Sequence, residues 1–343
     1  MRFGLFGGPV AFPGGRDQQV VYDDYLEYVV EAEALGFTSV FLTEHHFSGV
    51  GQATAPLLLL ANLAARTETM RLGTGVTVLP WYSPIMVAEM AATLDVISKG
   101  RFDLGVGRGF RSTEFEGFGT AIDDAQDLYD EALEVITKAW NTVGRWSHEG
   151  KRWHYKDVIA EPFPVQKPHP PLWMGAGSPP GLERAADAGF NLLLDQFGSF
   201  EATGERIDIY RSRLAELGKD VDQRDIGVTR SLHLVDSPKA RKEAIENRAR
   251  TMSKIAALAK RKSGEQNRMA EAFASDMTKS TEEGAIIGDV EECAERLERL
   301  HEAGVENVLL VDIDDQPLES LRVFSNEVIP AFTARVGAAA GNS

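Results

Sequence analysis

Strand-like and helix-like segments alternate about eight times along these 343 residues, and that rhythm leaves few folds open. The apolar runs lie at 2–6, 40–44, 71–79, 101–107, 172–176, 191–194, 226–235 and 307–312. Helical patterns run between them. At 20–35, Val21, Tyr25, Tyr28, Val29 and Ala32 fall at helical spacing and Gly36 acts as a stop. Pro56 and Pro84 open two more helices, where a missing N–H costs nothing. The alternation predicts an α/β protein with a parallel sheet, and eight repeats favour a single (β/α)8 TIM barrel over an open doubly wound sheet.

Two stretches depart from the rhythm. Aromatic and polar residues alternate over 146–159, which predicts a small hairpin, and five prolines from Pro162 to Pro171 predict an extended crossing. The stretch 239–289, rich in Lys, Glu, Ala and Arg, falls between strands seven and eight. We therefore expect one unit over 1–336, with an insertion at about 259–289 that acts as a helical lid or as a solvated helical face. Residues 337–343 are expected to form a flexible tail.

Composition removes several classes of function. A formal net charge of -16 disfavours nucleic acid, whose phosphates demand a basic face, and anionic membrane surfaces. The single cysteine, Cys293, excludes an intrachain disulfide and a thiolate metal cluster, and suits a reducing cytoplasm. The first residues lack a signal-peptide layout, and the apolar run 57–60 is too short to span a bilayer. A cytoplasmic protein is expected.

The second strand ends in Thr43-Glu44-His45-His46-Phe47, followed by Gly49 and Gly51. That end of a parallel strand is where barrels place their chemistry, and imidazole is the side chain best suited to exchange protons near neutral pH. A hydrogen-bonded structural histidine is the competing explanation. Three adjacent residues of an extended strand cannot all face one metal ion, so no metal site is expected. Gly175-Ala176-Gly177-Ser178-Pro179 joins the fifth strand to a helix. Its amides suit a phosphate, and Arg108 at the end of the fourth strand offers a guanidinium to the same anion. An ordinary helix start reads the same way.

Several blocks together resemble the bacterial luciferase-like flavin monooxygenases. They are Glu44-His45-His46-Phe47, Leu72-Gly73-Thr74-Gly75-Val76-Thr77-Val78-Leu79-Pro80, Ser98-Lys99-Gly100-Arg101-Phe102 and Gly105-Val106-Gly107-Arg108-Gly109. Phe115, Phe118-Gly119-Thr120 and the stretch from Gly288 to Cys293 extend the match over nearly the whole chain. The resemblance implies a barrel that takes reduced FMN from a separate NAD(P)H:flavin reductase and uses O2 to oxygenate a small organic substrate such as an aldehyde or ketone. It implies His45 as the catalytic histidine, with Glu44 beside it. It implies Arg108, Ser178, Ala176 and Gly177 at the FMN phosphate, and a cis peptide between Gly75 and Val76 under the flavin ring. Trp81, Phe110, Trp173 and Phe197 are candidate apolar walls, with a place in the core the stronger expectation for each one.

This chain departs from the light-emitting members at two positions. Gly107 stands where they carry a reactive cysteine, and Gly177 where a carboxylate precedes the phosphate-site serine, so light emission is not expected. A deazaflavin-dependent oxidoreductase on the same barrel, a non-catalytic flavin carrier and a barrel metallohydrolase using His45 and His46 are the alternatives. Ala61, Ala64 and Ala65, with Ala88, Ala91 and Ala92, offer smooth helix faces for a homodimer or for packing within the chain.

Overall fold

The computed structural model describes residues 1–259, 281–311 and 317–340. Eight parallel strands close into a barrel: β1 (Arg2–Gly7), β2 (Ser39–Leu42), β3 (Arg71–Thr74), β5 (Phe102–Gly107), β8 (Leu172–Gly175), β9 (Asn191–Leu194), β10 (Ile226–Leu234) and β12 (Asn307–Val311). β1 pairs with β2 and β12, and β9 pairs with β10 to complete the ring. This is the TIM barrel the alternation predicts.

Alternation along each strand sorts the residues. Val40, Leu42, Leu72, Leu104, Val106 and their counterparts face the helices and form the large outer core. Phe41, Trp173, Leu193 and Leu309 fill the barrel interior, with Phe6 and Val76 packed on them. Glycine makes room for these large rings: any side chain at Gly73 would strike the ring of Phe41. Trp173 is therefore barrel core rather than a wall of the mouth. Its indole N–H donates to Asp103 at 3.2 Å, and Arg71 holds the same carboxylate at 2.6 and 2.9 Å. This buried, fully bonded group closes the barrel floor.

Helices α2 (Pro56–Arg66) and α3 (Pro84–Ile97) begin at their prolines, and α5 (Ala125–Asn141) buries one face. The hairpin is β6 (Trp146–Glu149) with β7 (His154–Val158), and they pair antiparallel. The expected third strand, 71–79, is broken. β3 stops at Thr74, a short β4 (Thr77–Val78) pairs with β5, and the peptide between Gly75 and Val76 is cis.

The insertion opens with α8 (Pro238–Ala259), and the chain returns as β11 (Ile286–Gly288), a short strand on the end of β10 that the sequence pattern did not reveal. Most of the expected lid, 260–280, lies outside the described residues. Helix α9 (Val290–Glu302) follows with a capping box between Asp289 and Glu292. The last helical run reaches Ala340, past Gly337 where the tail is expected to begin.

Candidate active site

At the C-terminal end of β2 the chain leaves the sheet at Leu42, so Glu44, His45 and His46 sit on a loop rather than on an extended strand. The loop folds back on itself. His45 N–H donates to the Ala53 carbonyl at 3.0 Å, and Ala11 N–H donates to the Gly51 carbonyl at 2.9 Å. Gly51 has φ +73°, and any side chain there would strike the Ala11 carbonyl. Phe47 adopts φ 53°, uncommon for a bulky residue, and lies against the bare backbone of Gly117.

The two histidines divide between two carboxylates. Glu44 Oε1 lies 3.0 Å from His46 Nε2, and its Oε2 accepts from Val78 N–H at 3.3 Å. Glu44 is thus the partner of His46, not of His45. His45 Nδ1 instead lies 3.2 Å from Glu114 Oε1, which also accepts His46 N–H at 3.0 Å. Glu114 is 2% exposed. It belongs to α4 (Ser112–Phe118), a seven-residue helix that ends at Gly119 in the left-handed conformation.

Arg111, equally buried, sits 3.8 Å from Glu114 and donates to Gln52 Oε1 at 2.9 Å. Gln52 in turn lines an open cavity of about 430 Å³ with Gln18, Gln19 and Tyr22. Sequence reading missed Glu114 and Arg111. Their signal, Arg-Ser-Thr-Glu just after the fourth strand, has no helical period long enough to read.

Burial shapes the charges here. It lowers the pKa of His45, against the Glu114 hydrogen bond that raises it, and the Arg111 charge adds to the lowering. Burial raises the pKa of Glu44, opposed by His46. With Nδ1–H directed at the Glu114 carboxylate, Nε2 of His45 is the ring nitrogen outside this contact.

An aromatic wall stands beside these acids. Phe118 packs edge-on against His46 and Phe47 at 4.9 Å each and stacks on Trp81 at 4.8 Å, while Trp81 meets Phe115 at 4.5 Å. Phe110 lies under the Arg111 guanidinium.

Val76, carried by the cis peptide, reaches over the ends of β5 and β8. A side chain at Gly107 would run into Val76 Cγ2, and one at Gly175 would lie 3.9 Å from Val76 Cγ1. Position 107 therefore has no room for the cysteine of the light-emitting enzymes. Thr77 Oγ1 and Trp81 Nε1, close by in sequence, are buried without a hydrogen-bond partner among the described residues. A bare-backbone shelf and unpartnered donors fit a planar, polar-edged ligand such as a flavin.

Arg108 follows β5 with its side chain exposed. Ala176, Gly177 and Ser178 join β8 to α6 (Pro179–Ala188). Ser178 stands at the N-cap, but its hydroxyl makes no capping bond. The start of α6 offers fewer amides than expected. Pro179 and Pro180 have no N–H, Gly181 N–H is spent on the Ser178 carbonyl at 2.8 Å, and Ala176 N–H, expected at the phosphate, is spent on the Leu193 carbonyl at 3.1 Å.

The sequence pattern of the luciferase-like monooxygenases matches residues 1–307. The chain belongs to that family. It is 31% identical over 239 residues to the oxygenase component of the flavin-dependent trigonelline monooxygenase of Acinetobacter baylyi, covering 69% of this chain and 66% of that one. The curated relatives it matches first are thus spanned over half to two thirds of their length.

Among solved structures, the monooxygenase RslO1 of Streptomyces bottropensis superposes with a TM-score of 0.81 at 25% identity, covering 97% of this chain and 100% of that one. The oxygenating constituent of 3,6-diketocamphane monooxygenase of Pseudomonas putida, solved with FMN, superposes at 0.77 and 22% identity, covering 96% and 98%. The luciferase-like family thus shares this barrel. No described helix is long and apolar enough to cross a membrane.

Proposed function

We propose that this luciferase-like chain is the oxygenase component of a two-component, FMN-dependent monooxygenase. It would receive reduced FMN from a separate NAD(P)H:flavin reductase and oxygenate a small organic substrate such as an aldehyde or ketone. The observation that carries the reading is the His45–Glu114 contact of 3.2 Å at the mouth of a barrel whose strand ends are bare glycine backbone beside Val76. Reduced FMN, when bound, supplies the electrons that activate O2.

The chain supplies the surroundings. Arg108 and Ser178, with the backbone amide of Gly177, hold the phosphate, while Ala176 shapes the loop with its N–H bound to the Leu193 carbonyl at 3.1 Å. Gly75 and Val76 support the ring. Glu114 fixes the His45 tautomer, so Nε2 can hold or pass a proton where oxygen transfer occurs. Glu44 holds His46 and the end of β4, which steadies the wall of Trp81 and Phe118. That wall and α8, which packs against α4, keep water out.

A homodimer through α2 and α3 belongs to this proposal, on revised grounds. Ala88, Ala91 and Ala92 are buried within the chain and cannot form its face. Exposed Leu58 on α2 and Met86, Val96 and Ile97 on α3 are the apolar residues a partner would cover. One buried thiol in 343 residues fits a reducing cytoplasm.

Titration with reduced FMN and with a reduced deazaflavin, followed by oxygen consumption with candidate substrates, tests the reading. Tighter FMN binding with substrate-dependent oxygen uptake is the expected result. Tighter deazaflavin binding, or FMN binding with no substrate-dependent uptake, would replace it with a deazaflavin oxidoreductase or a flavin carrier.

A further inference from the structure

Helix α6 begins with two prolines and a committed glycine amide, so an anion bound there has few amides to use and needs side-chain donors as well. A cation beside this loop comes from the next helix, held by a carboxylate at the end of the next strand. Asp195 follows β9, accepts Phe197 N–H at 2.9 Å, and pairs with Arg206 Nη1 at 3.3 and 3.4 Å. Arg206 lies on α7 (Phe200–Glu216).

This ion pair lies directly against the Ala176–Ser178 loop. A Cβ built on Gly177 would be 2.9 Å from Asp195 Oδ2 and 3.7 Å from Arg206 Nη1, and one on Gly198 would be 3.4 Å from the same Nη1. The guanidinium is thus flanked by two residues without side chains. Its pair is partly open, with side chains 24% and 30% exposed.

The corner is also rich in positive charge. Arg230, fully buried, donates to the Asp195 carbonyl at 3.0 Å and the Thr229 carbonyl at 2.7 Å. Arg248 on α8 donates to the Gln196 carbonyl at 2.9 Å and to its Oε1 at 2.8 Å. Three guanidiniums therefore meet at the Asp195–Gln196 corner, in a chain of net charge -16. Burial first, opposed by Asp195 but helped by Arg248 and Arg206, pushes Arg230 down to about 9. An added anion would relieve that crowding.

We propose that Arg206, oriented by Asp195, is a phosphate-binding residue of this site, acting with Arg108 and Ser178. The inference rests on the flavin reading above. It also accounts for Gly177. The carboxylate that light-emitting enzymes carry in this loop has its place taken by Asp195 from the neighbouring strand, and a side chain at 177 would displace Asp195. Asp195 is a positioning residue and Arg206 a ligand-binding one. Arginine suits the task because its planar fork grips two phosphate oxygens at once.

The test compares FMN with riboflavin, which differ only by the phosphate, on the full chain by flavin fluorescence. The unaltered protein should prefer FMN. Arg206→Gln should lose FMN affinity roughly ten- to hundredfold, the size of a lost charge-assisted contact, while riboflavin affinity stays within about twofold. Arg206→Lys keeps a charge beside Asp195 and should recover part of the preference, which also covers the case of a glutamine variant that folds poorly.

An unchanged FMN-to-riboflavin ratio in both variants would overturn the proposal, and so would equal losses for both ligands. An unaltered protein that binds neither flavin would remove the flavin reading itself. One that prefers FMN while the variants keep that preference removes only Arg206.

Discussion

Glu114 Oε1 lies 3.2 Å from His45 Nδ1 and 3.0 Å from the backbone nitrogen of His46, so one buried carboxylate fixes both the ring and the loop that carries it. A histidine held this way has one tautomer and one orientation, which a proton-transfer group needs before its pKa matters. Replacing Glu114 by Gln keeps the shape and removes the charge. Turnover should fall roughly a hundredfold, the low end of what positioned proton transfer supplies, with FMN affinity within about threefold. Stopped-flow oxygen consumption beside an FMN titration reads both, and unchanged turnover would show that His45 does not depend on Glu114.

His45→Ala removes the proton-transfer group itself. Substrate-dependent oxygen uptake should drop by roughly 10²–10⁴, while the fold and FMN binding persist. Equal loss of binding and turnover would mean that His45 builds the pocket rather than serving the reaction.

The His45 ring should titrate below the ordinary 6.5, because burial and the Arg111 charge outweigh the Glu114 hydrogen bond. The sign for stability follows. The unfolded chain binds this proton more readily, so His45 contributes stability that is present above 6.5 and lost as pH falls towards the folded pKa. Glu44, with its pKa raised above 4.5, runs the other way and disfavours the fold as pH rises through its window. Imidazole ¹H–¹⁵N correlation spectra across this range report the His45 midpoint. A midpoint at or above 6.5 would show that the Glu114 charge dominates.

Arg108→Ala should weaken FMN binding by about 1.5–3 kcal/mol, roughly ten- to hundredfold, and leave riboflavin binding nearly unchanged. Equal weakening of both would place Arg108 at the ring instead of the phosphate.

Met86 and Ile97 lie eleven residues apart on α3, close to one helical face, and both point outward. Sedimentation at micromolar concentration should show a dimer for the unaltered chain and a monomer for Met86→Glu/Ile97→Glu. A dimer that survives both changes would move the interface away from α3.

The barrel was legible because its signals are local. Prolines at Pro56 and Pro84 mark helix starts, and the apolar run 226–235 marks β10 to within one residue. The site was legible only in part. The His45 position follows from a strand end, but its partner Glu114 is 69 residues away, on a helix too short to show a period. The pairing of Glu44 with His46 fits their spacing, since residues two apart in an extended segment project to one side, whereas the partner of His45 comes from outside the loop. The break at Gly75–Val76 left no trace in hydrophobic pattern and came from the resemblance alone. The donor-poor start of α6 is written in the sequence as Pro179-Pro180, two residues without an N–H.

A crystal structure of the protein with FMN measures the central claim directly. The account predicts phosphate oxygens within about 3.2 Å of Arg108 and Ser178, the ring resting on Val76, and His45 Nε2 facing the ring edge. A flavin bound with its phosphate away from the Ala176–Ser178 loop, or with its ring in a cavity that His45 does not reach, would contradict it.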